Sequence, residues 1–386
     1  MLEGRRLWFV GIGGAGLSSY AFLARAWGAE VGGWDRVETP YLRPLDGVQI
    51  ELAPEPVVPP GWEVVVSSAY PAVPGRSRAE FLAELVSFRR AIVVAGAHGK
   101  TTTTGMIAFA LAELGRDPAW LVGGEIPQLG GNAGAGEGWL VVEGDESDRT
   151  VERLRPEIGV VTNVELDHHA TFSSAAEVGE MFERWLAHVP QVVRGWELEP
   201  VAFELEVPGE HNRVNAAAAL AALELAGVAR AEAEPVLARF RGAGRRFQLV
   251  GERGGISVVD DYAHHPSEIA ATIAAARERG DGRVLVLFQP HLYSRTQHLG
   301  HELGAALSAA DAVCVTEIYG AREEPIDGVN GRLVLDAVRP GLHAGWAPTV
   351  EDGARIVASW ARPGDLVLTV GAGDVDRAGQ LVLEAP

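Results

Sequence analysis

The sequence predicts an α/β protein of more than one domain, and three observations carry that prediction. Two apolar runs each end in a glycine turn that opens a helix, at residues 11–16 and 96–101. Strand-like and helix-like segments then alternate to the end of the chain, the pattern of parallel sheets covered by helices. With 386 residues there is chain enough for two or three such domains, each with its own core.

Composition narrows the partners. Hydrophobic residues make up 47% of the chain, which suits ordinary buried cores. A formal net charge of −19 argues against nucleic acid and against anionic membrane surfaces. The single cysteine, Cys314 in Ala312-Val-Cys-Val-Thr316, excludes an intramolecular disulfide and reads as a core thiol in a reducing cytoplasm. Met1-Leu-Glu-Gly-Arg-Arg leads into a run too short for a signal peptide, and no run approaches the ~20 apolar residues of a membrane span, so no membrane insertion is expected.

The densest chemical signal is Ala91-Ile-Val-Val-Ala-Gly96-Ala-His98-Gly99-Lys100-Thr101-Thr102. A strand, a tight turn and a helix start present backbone N–H groups to phosphate oxygens. Lys100 is placed to reach the outer phosphates and the Thr101 hydroxyl to ligate Mg²⁺. The usual first glycine of such a loop is Val94 here, so the loop is a shortened variant. A glycine turn with a solvated lysine would not need Gly-Lys-Thr between a strand and a helix.

Upstream, Leu7-Trp-Phe-Val10 reads as a buried strand running into Gly11, Gly13, Gly14 and Gly16, with a helix from about Leu17 to Trp27. Asp35 ends the next strand, at the distance where an acid meets a ribose hydroxyl. This motif alone leaves a nicotinamide dinucleotide and any other nucleotide diphosphate equally open. Glu63-Val-Val-Val-Ser67-Ser68 is a further strand ending in hydroxyls. Downstream, Leu140-Val-Val-Glu143-Gly-Asp145-Glu146-Ser147-Asp148 is a strand that runs into acids, as a hard cation beside a phosphate loop requires. Ile158 to Asn163 is another strand, leading to Glu165-Leu-Asp167-His168-His169. In the last third, Ile256 to Asp261 and Arg283 to Phe288 are strands whose C-terminal loops carry Tyr262, His264, His291 and Arg295. Asp365 to Gly373 repeats the strand-then-loop pattern.

Taken together, Ala95 to Thr104, Glu143 to Asp148, Val161 to His168, Gly209 to Ala216, Gly244-Arg245-Arg246-Phe247, Asp260 to Pro266 and Phe288 to Thr296 resemble the Mur ligases, in the family's order and over essentially the whole chain. Within that family the resemblance is to the branch that adds L-alanine to UDP-N-acetylmuramate. It implies three domains: a Rossmann-like UDP-sugar-binding domain over 1–90, a shortened P-loop ATPase-like domain over 91–243, and a Rossmann-like doubly wound ligase domain over 244–386.

The resemblance also implies roles. ATP would meet Gly96, His98, Gly99, Lys100, Thr101, Thr102, His211, Asn212, Asn215, Arg245 and Asp261. Mg²⁺ would be held by Thr101 and Glu143, with His168 at a second ion. UDP-N-acetylmuramate would rest on the Gly11–Gly16 loop, Asp35, Ser67 and Ser68. Tyr262, His264, His291 and Arg295 would serve the amino-acid and acyl-phosphate side, with Lys100, His168, His264 and Arg295 as the catalytic set. The partners are then small molecules, acting on a cytoplasmic monomer or homodimer. Three departures stand out: Ala170 where the family carries an aspartate, Ala97 where it carries a threonine, and a short span between Phe172 and Gly209 with room for one helix and one or two strands. Two rivals explain less. A Rossmann oxidoreductase leaves the lysine loop unused, and a plain nucleotide switch leaves the first glycine loop unused. A sister ligase acting on murein tripeptide is the nearer alternative.

Overall fold

A strand buried on both faces needs apolar residues without alternation, and Arg6–Val10 forms one, β1, covered from Leu7 onward. The computed structural model describes residues 1–168, 171–321 and 323–385. His169 and Ala170, both singled out in the sequence, lie outside the described residues. Beside β1 stand β2 (Glu30–Asp35), β3 (Gln49–Leu52), β4 (Glu63–Val66) and β5 (Arg76–Ser77), in the all-parallel order β3-β2-β1-β4-β5. Helix α1 (Ala15–Ala26) follows β1, and α2 (Arg78–Ser87) follows β5. Trp8 and Trp34 are fully buried and meet Trp62 and Tyr70 edge to face, with ring centroids 5.3 and 5.1 Å apart.

The second sheet contains β6 (Ala91–Ala95), β7 (Ala119–Ile126), β8 (Gly131–Ala135), β9 (Leu140–Glu143), β10 (Ile158–Val161) and β11 (Gln191–Arg194), in the order β11-β10-β6-β9-β7-β8. Only the β7–β8 hairpin is antiparallel. Helices α3 (Lys100–Glu113), α4 (Ala175–Leu186), α5 (Glu210–Leu225) and α6 (Arg230–Leu237) belong to the same stretch of chain. Helix α3 is covered all round from Thr101 to Leu111, which explains its small, weakly amphipathic composition. Val94 pairs with Glu143 and Ala95 with Val161, so three neighbouring strands end level around the lysine loop. Of the elements expected between Phe172 and Gly209, the helix is α4 and the single strand is β11. Val201 to Val207 alternates in burial but forms no strand. The chain divides into two structural units at Glu204, inside that segment, and it finds no sheet edge to pair with.

The third sheet has β12 (Gln248–Arg253), β13 (Ile256–Asp261), β14 (Val284–Phe288), β15 (Ala312–Val315), β16 (His343–Trp346) and β17 (Leu366–Val370), in the order β12-β13-β17-β14-β15-β16. All of its pairs are parallel except β12–β13. Helices α7 (Pro266–Glu278), α8 (Tyr293–Leu307), α9 (Arg332–Leu335), α10 (Val350–Trp360) and α11 (Arg377–Glu384) complete this part of the chain. Asp260 pairs with Thr369 and Phe288 with Val370, which brings the loops after β13, β14 and β17 to one edge. Cys314 lies in the core of β15, where burial pushes its thiol up to about 12.

The first two sheets belong to one unit, Met1–Glu165, Ser174–Glu204 and Val214–Arg241. The third belongs to another, Leu166–Ser173, Leu205–Arg213 and Gly242–Pro386. Among the described residues, no helix is long and apolar enough to cross a membrane.

Candidate active site

The first unit builds its site on the level ends of β6, β9 and β10. Gly96 has φ +129° and Gly99 φ +78°, a region that side chains avoid. A Cβ on Gly96 would come within 2.2 Å of Thr162 Oγ1, and one on Gly99 within 2.3 Å of Asn215 Oδ1. Asn215 of α5 therefore presses its amide onto the phosphate loop. Asn163 fastens the other side: its Oδ1 accepts from His98 N and its Nδ2 donates to His98 O, both at 2.9 Å. His98 Nε2 lies 3.4 Å from Glu165.

Lys100 closes this loop upon itself, with Nζ donating to Gly96 O at 2.6 Å, Ala97 O at 3.1 Å and Glu146 Oε1 at 2.9 Å. Burial alone would lower its pKa, but Glu146, Glu143 and Asp145 outweigh burial and raise it, so the ammonium stays charged. The next residue, Thr101, donates its hydroxyl to Glu143 Oε2 at 2.9 Å, and that oxygen also accepts from Gly123 N at 2.8 Å. A Cβ on Gly123 would fall 2.7 Å from the same carboxylate. A hydroxyl and a carboxylate held together in a glycine cradle, beside a phosphate loop, are a donor set suited to Mg²⁺. Thr102 is buried behind them.

The other acids of this strand end do different work from the ion site their density suggests. Asp145 and Asp148 grip Arg78 of α2, with Arg78 Nε 3.0 Å from Asp148 Oδ2 and Nη2 2.5 Å from Asp145 Oδ2. Burial would raise the Asp145 carboxyl, yet Arg78, Ser147 and Lys100 bring it down to about 2. In the N-terminal glycine loop, Asp35 accepts from Gly13 N at 2.7 Å and from Arg36 N at 2.7 Å, so its carboxylate braces the turn. Ser67 N donates to Val10 O beside Gly11, and Ser68 is exposed. The first helical turn after Gly14 leaves the N-terminus of α1 without a side-chain cap.

In the second unit the organising residue is Asp167, which the sequence quoted inside a motif without a role. Its Oδ1 accepts from Arg295 Nε and Nη2, both at 2.8 Å, and its Oδ2 lies 3.7 Å from His264 Nε2 and 3.6 Å from His168 Nε2. Burial would push this carboxyl up, but the neighbouring His264 and the charge of Arg295 hold it well below the usual range. Arg295 Nη1 meets His291 Nδ1 at 3.1 Å, which makes that nitrogen the acceptor and leaves the imidazole neutral. Burial, His264 and Arg295 together lower His291 to about 3. His264 Nδ1 is 2.9 Å from Tyr262 O, and His291 stacks on Tyr319.

Arg245 sits at the exit of β17, beside Gly371 and Gly373. It donates to Asp260 Oδ2 at 2.9 Å, to Gly371 O at 2.8 Å and to Gly373 O at 3.0 Å, and its guanidinium carbon lies 5.2 Å from the Tyr262 ring centroid. Asp261 accepts from Phe247 N at 2.7 Å and Ala263 N at 2.8 Å, and burial pushes it up to about 6. Asn212 donates to Pro208 O at 2.7 Å. Burial lowers the neighbouring His211 to about 4.

These shifts set a pH dependence. Unfolded His211 and His291 take up a proton near 6.5 that the folded chain refuses until about 4 and about 3. Their contribution is whole above 6.5 and is lost as pH falls through that window. Asp261 acts with the opposite sign, its contribution being lost as pH rises through about 6. Two histidines against one carboxyl leave a net loss on acidification. Melting temperature measured from pH 7.5 to 4.5 is expected to fall, and to fall less steeply in His211→Gln; an equal slope in that variant would refute the assignment.

A family profile described as the Mur ligase middle domain matches residues 94–195, and one described as the Mur ligase, glutamate ligase domain, matches residues 245–373. The chain is 42% identical to a Streptomyces coelicolor UDP-N-acetylmuramate–L-alanine ligase, covering 97% of this chain and 96% of that protein. That alignment spans 449 positions, more than the 386 residues here, so the relative carries segments with no counterpart in this chain. Among solved structures, the UDP-N-acetylmuramate-alanine ligase MurC of Thermotoga maritima superposes with a TM-score of 0.81 at 27% identity, over 98% of both chains. A murein peptide ligase of Psychrobacter arcticus shares the fold with a TM-score of 0.67 at 23% identity, over 99% of this chain and 100% of that one. The chain belongs to the Mur ligase family.

Proposed function

We propose that this chain joins L-alanine to the lactyl carboxylate of UDP-N-acetylmuramate at the expense of ATP, a step in building peptidoglycan precursors. The observation that carries the reading is the loop over 96–101, where a partly buried, charged lysine and a threonine–glutamate pair lie side by side. A carboxylate does not condense with an amine at neutral pH. The γ-phosphoryl group of ATP passes first to a carboxylate oxygen, releasing ADP and leaving an acyl phosphate. The amine nitrogen then attacks the acyl carbon, and the tetrahedral intermediate expels phosphate.

An anionic oxygen enters and another leaves at the first step, and an oxyanion develops and phosphate leaves at the second, so positioned charge carries the rate. Lys100 meets the transferring phosphoryl group by exchanging its carbonyl partners for phosphate oxygens. Thr101 and Glu143 would hold Mg²⁺, which would supply neutralisation of phosphate charge. His168 would offer a ring nitrogen to a second ion, with Asp167 Oδ2 3.6 Å away to orient it. Arg295, His264, His291 and Tyr262 serve the acyl-phosphate and amino-acid side. Asn212, His211, Asn215, Arg245 and Asp261 serve ATP. The glycine loop over 11–16, with Asp35, Ser67 and Ser68, takes the UDP-sugar. The chain works as three domains, over 1–90, 91–243 and 244–386, in the cytoplasm as a monomer or homodimer.

Phosphate release with UDP-N-acetylmuramate across a panel of amino acids tests this reading. Release that depends on L-alanine is expected. Release only with the murein tripeptide would assign the chain to the sister ligases, and tight NADH binding that excludes the UDP-sugar would overturn the first-domain assignment.

A further inference from the structure

Arg78 has no part in the functions set out above, yet it stands between the two glycine loops of the first unit. It opens α2 behind a Ser77 capping box, and its side chain is only 22% exposed. Two of its three nitrogens are held by Asp145 and Asp148, on the loop that follows the strand carrying Glu143. The third, Nη1, lies 3.7 Å from where a Cβ on Gly16 would stand, at the first turn of α1. Nη1 has no hydrogen-bond acceptor among the described residues. The Asp145–Asp148 loop in turn contains Glu146, whose carboxylate grips Lys100. A second tie crosses at the same place, Asn132 Nδ2 donating to Ala15 O at 3.2 Å.

We infer that Arg78 is a positioning residue that couples a diphosphate on the α1 N-terminus to the nucleotide loop through Asp145, Asp148 and Glu146. A helix N-terminus favours an anion, and an arginine with one free amino group beside it favours that anion further. An anion that draws on Nη1 shares the same guanidinium with both aspartates, so the position of the acidic loop depends on whether the diphosphate is present. Glu146 carries that dependence to Lys100. Bound UDP-sugar therefore changes the affinity of the lysine loop for ATP, and by reciprocity ATP changes the affinity for UDP-sugar. A lysine at position 78 would keep the charge but lose the fork that spans two acids and an anion.

The inference rests on the functional reading above, and calorimetry on the full chain tests the two separately. Binding of a non-hydrolysable ATP analogue is measured with and without UDP-N-acetylmuramate, in the native chain, in Arg78→Lys and in Asp148→Asn. Asp148→Asn leaves Arg78 in place and guards against a variant that misfolds. In the native chain the UDP-sugar is expected to shift analogue affinity by about tenfold, within the usual range of coupling between sites. In both variants that ratio is expected to fall to about one, while analogue binding without UDP-sugar changes by less than about threefold. Native protein that binds both ligands without coupling, or Arg78→Lys with the full ratio, would overturn the inference alone. Native protein that binds no UDP-sugar would overturn the functional reading and this inference with it.

Discussion

Replacing Lys100 with alanine is expected to cost ~10²–10³ in ligation rate, the usual consequence of removing one central charge-stabilising group. The side chain is only 15% exposed and remains protonated, because three carboxylates outweigh the burial penalty. Its three acceptors, two loop carbonyls and Glu146, can be exchanged for phosphate oxygens with little movement of the ammonium. The variant leaves Glu146, 2% exposed, without the lysine, so some stability is lost with the rate. Adding Glu146→Gln removes that burden without restoring the phosphate contact. Phosphate release and a melting curve on both variants separate the two effects. The single variant is expected to be slow and less stable, and the double variant slow with much of the stability regained. Native-like turnover in either would remove Lys100 from the chemistry.

The parts legible in the sequence share a physical origin. Strands β1, β6, β9 and β14 are nearly continuous apolar runs because both faces are covered, and their C-terminal loops hold the chemistry because that is where parallel strands release the chain. Lys100, Thr101 and Glu143 could be placed together from the two strands that carry them, since Val94 and Glu143 pair in register. Relations between side chains far apart in sequence were not legible. Arg78 reads as a surface charge at a helix start until the aspartates 67 and 70 residues on are seen to hold it. Asp35 suggested a ribose contact, and its carboxylate is found bracing Gly13 N. Arg245 reads as a solvated turn or a nucleotide ligand, and its donors are found on the carbonyls of Gly371 and Gly373, 126 and 128 residues away. Local pattern fixes where a loop emerges, but the partner of a buried charge depends on the whole topology.

Asp167 shows how much depends on such a partner. It is 6% exposed, lies between Leu166 and His168 in a loop, and meets Arg295 128 residues later. Both charges are buried, so taking away one leaves the other uncompensated, at a cost of about 3–5 kcal/mol. Asp167→Ala is therefore expected to lower the urea midpoint sharply and to abolish ligation, because Arg295, His264 and His168 lose the carboxylate that orients them. Since this carboxyl is held well below its ordinary value, its contribution is present at every pH above about 4 and fades only in stronger acid. Removing both charges separates orientation from stability. In Asp167→Leu combined with Arg295→Met, two apolar side chains replace a buried ion pair, an exchange that is often neutral or stabilising. The double variant is expected to recover most of the stability and none of the activity. Recovered activity there would mean that the pair only holds the fold. A single Asp167→Ala with a native midpoint would mean that solvent, and not Asp167, balances the charge of Arg295.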